Sequence, residues 1–203
     1  MRILIAIFRF VVAFFALRGT WAAWSLNHLH DLIYFTTQSN IFLGLIMLWA
    51  GIAALIGWHQ PPAWLKSAVL LYMLITGLVA WLILGPLDPC APKILLNLTI
   101  MDIVHIVTPI MATIDFLLFD SHKQLKIKYA AYWLSYPLAY FIFILITIGL
   151  INPSISYPYP FIDLNILSIG QLIQNIVIYF AGFYLLGLLI VKMDKILPSI
   201  RIV

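Results

Sequence analysis

Tyr34-Phe35-Thr36-Thr37-Gln38-Ser39-Asn40 is a polar septet between two long apolar runs. The run it opens, 36–58, is long enough to cross a bilayer, which takes roughly 20 residues. Five consecutive residues, Thr36 to Asn40, carry hydroxyl or amide groups at the point where the chain re-enters apolar sequence. In hydrocarbon each such group costs free energy until it finds a partner. One use for them is helix capping and hydrogen bonding between helices. The other is a reaction or binding site.

Further segments of spanning length lie at about 3–24, 64–84, 98–119, 129–150 and 165–191. The 203 residues are 65% hydrophobic and 9% charged, with a mean hydropathy of +1.09. Soluble domains carry about 25% charge, so a soluble fold is excluded. The expectation is an all-α polytopic membrane protein: six transmembrane helices in one bundle, forming a single domain over 1–203. Residues 1–22 have the length of a signal peptide, but Arg9 and Arg18 interrupt the apolar core, which favours a first span.

The formal charge of +4 sits at span ends, where bilayer orientation explains it and a nucleic-acid partner is not required. With the N-terminus inside, Arg2, Lys66, Lys123, Lys126, Lys128, Lys192, Lys195 and Arg201 are cytoplasmic and Lys93 is external. Both termini are then cytoplasmic. Arg9 and Arg18 fall within span one and are left out of that tally. Arg18 snorkels outward, pairs with an acid such as Asp31, or meets a ligand. Cys90, the sole cysteine, rules out an internal disulfide and reads as a small loop residue beside Pro89. In this topology the septet, Asn97, Asp102, His105, Ser168, Gln171, Gln174 and Asn175 all fall near the outer leaflet. That is the pattern of a cavity opening outward.

Four constellations carry possible chemistry. Thr36 and Thr37 point about 100° apart on a helix, and either is a weak nucleophile until a base takes its proton. The bland alternative is a threonine bonded to a carbonyl one turn back. Asp102 and His105, spaced i, i+3, share a helix face, so the carboxylate can orient the imidazole as a base. The alternative is a buried pair holding helices together. Pro109 cannot donate to the carbonyl of His105, which predicts a kink beside it. His28-x-His30-Asp31, joined by His105 and Asp102, is a conceivable zinc set; a wet interfacial loop is the plainer reading. Tyr157-Pro158-Tyr159-Pro160-Phe161-Ile162-Asp163 is a stiff interfacial loop, structural or acting as a lid, with Asp163 placed to cap span six.

Phe35-Thr36-Thr37-Gln38-Ser39-Asn40, the His105…Pro109…Asp115 segment and Tyr157-Pro158-Tyr159-Pro160-Phe161-Ile162-Asp163 resemble the bacterial Pr6Pr family of membrane proteins. That family looks related to the androgen-induced-gene-type six-span proteins of animals, which are intramembrane threonine hydrolases. The resemblance runs over essentially the whole chain. It implies cleavage of fatty acid esters of hydroxy fatty acids, with Thr36 as nucleophile and His105 as base. The animal motif has four residues between His and Pro where this chain has three, and Thr37 is an alternative match for the nucleophile.

The expectation is therefore a hydrolase of lipid esters, multi-pass in a bacterial plasma membrane, with its site near the outer leaflet. Its partners are membrane lipids and a fatty-acyl ester, and it requires no cofactor or metal. Asp102 orients His105. Gln38, Ser39, Asn40, Arg18, Asn97, Tyr157, Tyr159, Asp163, Gln171 and Asn175 line the site, with Asn40, Ser39 and Gln38 as possible oxyanion donors. A binding or transport protein for a lipid or small molecule is the first alternative, and a zinc-dependent membrane hydrolase the second.

Overall fold

A computed structural model describes residues 1–25, 28–85, 91–151 and 155–199. Cys90 and Arg201 lie outside them. The chain is mainly helical: α1 (Arg2–Gly19), α2 (Phe35–Ile56), α3 (Ala63–Ile83), α4 (Ile100–Phe119), α5 (Lys128–Ile151) and α6 (Ile169–Ile196). The helices α2 to α6 are long and apolar enough to cross a membrane, as expected of a helical membrane protein. The first helix differs from the expected span. It has 18 residues including Arg2, Arg9 and Arg18, and it stops at Thr20, whose Oγ1 donates 3.0 Å to the Ala16 carbonyl. Trp21–Trp24 forms a separate helical turn.

The chain divides into two compact units, Met1–Leu125 with the end of α6 from Met193, and Lys126–Lys192. In the first unit α1 buries one stripe, Ile5, Arg9, Val12, Ala16 and Gly19, at the i, i+3/i+4 spacing of a packed helix face. It runs antiparallel to α2, Phe10 lying against Gly51 and Leu17 against Gly44. A Cβ at either glycine would come within 2.7 Å of those side chains, so the absent side chains set the helix spacing. Ile5, Ala6 and Ala54, flanked by Phe10 and Phe119, form a dry cluster near the far ends of these helices.

Before α4 the chain makes a two-stranded hairpin, β1 (Lys93–Leu95) with β2 (Leu98–Thr99). Its turn residues Leu96 and Asn97 both have positive φ, 48° and 62°. Such two-residue turns favour asparagine because it tolerates the left-handed conformation. Asn97 is therefore an exposed turn residue of the hairpin, ahead of α4.

The second unit holds α5, α6 and the Tyr-Pro loop. Tyr140, Tyr159, Phe161, Tyr179 and Phe183 form a ladder of neighbouring rings, 4.6 to 6.5 Å between centroids. The loop is thus anchored on both helices of its own unit.

Candidate active site: Thr36 and His105

The first turn of α2 begins at Phe35, after an extended Tyr34 (ψ 131°). Thr36 is the second residue of the helix and is buried. In α4, His105 lies in a π-helical turn, Ile103–Val107, between α-helical ends. Two sequence features account for that turn. Pro109 has no N–H, so the His105 carbonyl loses its usual helical partner. Thr108 Oγ1 lies 3.0 Å from the Ile103 carbonyl, five residues back. The widened turn holds an extra residue, a distortion common at functional positions, and it interrupts the regular helix beside His105, just ahead of Pro109. On α3, Gly77 sits against this opening: a Cβ there would meet the His105 carbonyl at 3.2 Å and the Pro109 ring at 3.3 Å.

These two helix segments bring Thr36 Oγ1 to 3.2 Å from His105 Nε2, in a buried setting. His105 Nδ1 is 3.2 Å from the Met101 carbonyl. A carbonyl only accepts, so Nδ1 carries the proton and donates. In the neutral ring Nε2 is then the acceptor, and the Thr36 hydroxyl donates to it. Hydroxyl, imidazole and carbonyl acceptor stand in a line, an arrangement in which a ring nitrogen can take a hydroxyl proton.

Asn40 fastens the two helices at this level. It is fully buried; its Nδ2 donates to the Thr36 carbonyl at 3.0 Å and the Val104 carbonyl at 3.1 Å. Its Oδ1 accepts from Thr108 Oγ1 at 2.6 Å. Both amide hydrogens are spent on backbone carbonyls, so Asn40 is a positioning residue and has no donor left for an oxyanion. Gln38 turns backward instead, donating 2.6 Å to the Leu32 carbonyl in the preceding loop. Thr37 is half-buried on another side of the helix, and the residue that meets His105 is Thr36.

The expected Asp102–His105 pair does not form. Helix α4 starts two residues later than the sequence suggested, which makes Thr99 its N-cap and Asp102 its third residue. The Asp102 carboxylate accepts from Thr99 N and Thr99 Oγ1, each at 2.8 Å, and Asp102 N donates 3.0 Å to Thr99 Oγ1. That reciprocal arrangement is a capping box. The orienting role belongs to the Met101 carbonyl. Accordingly, Asp102→Ala should destabilise the protein by about 0.5–2 kcal/mol as a lost cap and leave the pH dependence of turnover unchanged. Thermal unfolding and a pH–rate profile check the two halves.

Other expected site residues serve local structure. Arg18 is half-buried in the last turn of α1, a favourable place for a cation, and Asp31 pairs with His30 at 3.0 Å. The rings of His28 and His30 pack edge to face at 5.4 Å. Both nitrogens of His105 are engaged with Thr36 and Met101, so it does not join them in a zinc set, and no group of three or more His, Cys, Asp or Glu is placed to hold a metal among the described residues. In the second unit Gln171 and Ser168 cap α6 reciprocally, Gln171 Oε1 accepting from Ser168 N and Oγ at 2.9 Å. The expected cap, Asp163, instead closes a local turn, accepting 2.7 Å from Asn165 N. Asn175 Nδ2 donates 3.0 Å to the Phe161 carbonyl, and Tyr159 is buried in the ring ladder. Loss of solvent, then the Asp163 carboxylate, raise the Tyr157 phenol above the usual tyrosine range.

A second polar cluster, unread in the sequence, lies toward the other end of the first unit. Arg9 is 1% exposed and spends all five N–H groups: on Asp115 Oδ1 (2.9 Å), the Ala50 carbonyl (3.3 Å), Gln60 Oε1 (2.9 Å), the Phe119 carbonyl (3.2 Å) and Asp120 Oδ1 (3.2 Å). Lys66 Nζ donates to both Asp115 Oδ2 and Asp120 Oδ1. Two cations and two carboxylates balance. Beside them is a cavity of about 180 Å³ whose lining includes Arg9, Gln60, Lys66, Asp120 and Asp194. The available signal was complementary charge, Arg9 in one apolar segment and Asp115 in another. The chain matches no family model, no curated protein and no solved structure.

Proposed function

We propose that the protein is an intramembrane hydrolase of lipid esters, of the fatty acid ester of hydroxy fatty acid type. The observation that carries this reading is the 3.2 Å contact of Thr36 Oγ1 with His105 Nε2, whose Nδ1 is held by the Met101 carbonyl. In the proposed reaction Thr36 Oγ bonds to the ester carbonyl carbon while its proton passes to His105 Nε2. The tetrahedral oxyanion collapses, the alkoxide leaves with that proton, and Thr36 is left acylated. Water, deprotonated by the same nitrogen, then attacks the acyl carbon and releases the fatty acid and Thr36. The reaction balances with ester and water alone.

The proposed topology is six spans with both termini cytoplasmic in a bacterial plasma membrane, supported by the distribution of Lys and Arg. It sets Thr36 near the outer leaflet, within reach of lipid. The resemblance to the Pr6Pr and androgen-induced-gene-type proteins is consistent with the same chemistry. The test is release of fatty acid from a branched fatty acid ester of a hydroxy fatty acid by the purified protein in lipid nanodiscs. Turnover is expected. Ester that binds without being cleaved would support the alternative, a lipid-binding or transport protein, for which the polar cavity beside Arg9 and Lys66 is the favouring observation.

A further inference from the structure

The Ser39 hydroxyl stands apart from the other buried polar groups of the septet. Thr36, Gln38 and Asn40 each have an identified partner. Ser39 is fully buried, and its Oγ finds no hydrogen-bond partner in the protein. Serine in a helix can return its hydroxyl to a carbonyl one turn back at little cost, and here it does not. A buried hydroxyl left unmade costs free energy, and such groups in folded proteins call for a functional reason.

From this we infer that Ser39 is the side-chain oxyanion donor of the ester-cleaving site, an inference that rests on the function proposed above. Three observations converge on it. Asn40 is excluded because both its amide hydrogens serve carbonyls. Gln38 is excluded because it turns back to Leu32. Ser39 follows Thr36 by three residues, which puts their Cβ atoms roughly 5–6 Å apart on neighbouring parts of one helix face. An oxyanion on the carbon attacked by Thr36, with a donor at roughly 2.7–3.1 Å from that oxygen, requires the donor about 5 Å from the attacking atom. As the Thr36 Oγ–C bond forms, the carbonyl π pair moves onto oxygen, and the Ser39 O–H donates to that oxygen without losing its proton. In the free protein the hydroxyl is unpaired; in the transition state it is paired, which is the differential binding that raises turnover.

The test compares wild type with Ser39→Ala, Thr36→Ala and Thr76→Val. Thr76 carries another buried hydroxyl without a partner and serves as the control. All are full-length proteins in nanodiscs, assayed on a p-nitrophenyl fatty-acyl ester and by thermal unfolding. Ser39→Ala is expected to lower kcat about 10²–10³-fold, with KM within a factor of about two, and to leave Tm unchanged or raised, because it deletes an unsatisfied buried group. A merely structural serine gives the opposite pattern. Overturning results are a kcat within threefold of wild type, a Tm that falls in parallel with activity, or a loss confined to Thr76→Val. If wild type itself turns over no ester and Thr36→Ala is no different, the proposed function fails, and that outcome is distinct from failure of the Ser39 role alone.

Discussion

Thr36→Ala is expected to lower ester turnover by at least about 10³-fold, and His105→Ala to do the same, since removal of one member of a nucleophile–base unit costs nearly as much as removal of both. Thr37→Ala is expected to stay within threefold of wild type, because the hydroxyl 3.2 Å from His105 Nε2 belongs to Thr36. The double variant Thr36→Ala/His105→Ala should be no worse than either single one. Full kinetics on the four proteins check this, with folding verified by thermal unfolding. Additive losses would mean that the two residues do not act as a unit. An active Thr36→Ala protein would transfer the nucleophile to another group. Asn40 gives a useful contrast: its hydrogen bonds hold the Thr36 turn to the Val104 carbonyl and Thr108.

The second large effect is on stability. Arg9→Met should destabilise the protein by about 3–5 kcal/mol, the cost of breaking a buried ion pair from one side. Arg9 is 1% exposed and Asp115 is fully buried, so solvent does little to screen the loss. The substitution leaves Asp115 and Asp120 sharing Lys66 alone, and strips donors from the Ala50 and Phe119 carbonyls. Arg9→Met combined with Asp115→Asn restores charge balance and should be more stable than Arg9→Met alone. Thermal unfolding in one detergent measures both. A double variant that loses the sum of the two single losses would show that charge balance is not what this cluster provides. The cluster ties α1, α3 and α4 together through Arg9, Lys66 and Asp115.

Sequence alone carried much of the helical architecture. Bilayer thickness sets the length of an apolar run, and the expected 36–58, 64–84 and 129–150 match α2, α3 and α5 to within two residues. The first segment did not match because Thr20 ends the helix and three arginines lie within it. Segment four is displaced because hydropathy does not mark its start. The actual start is fixed by the Asx-and-hydroxyl chemistry of Thr99 and Asp102, to which hydropathy is blind. That displacement also produced the wrong partner for His105. The Thr36–His105 meeting was foreseeable in part: the expected topology puts them at similar depth, but contact between helices depends on rotation about the helix axes, which the π-turn at Ile103–Val107 resets. The Arg9 cluster is not legible from charge counting, which places Lys66 with the cytoplasmic cations and leaves Arg9 within span one without a partner. In the fold both lie against Asp115, some 14 residues, or about 20 Å of helix rise, beyond Thr36 at the Ala50 level of α2.

The chemical identity of the nucleophile is the most direct test of the proposed mechanism. Purified full-length protein in nanodiscs is treated with a fluorophosphonate lipid, digested and sequenced by mass spectrometry. A single phosphonyl adduct on Thr36 Oγ, absent from His105→Ala protein, is expected. An adduct on Thr37, on Ser39 or elsewhere, or an unmodified Thr36 in protein that is hydrolysing ester, would contradict it.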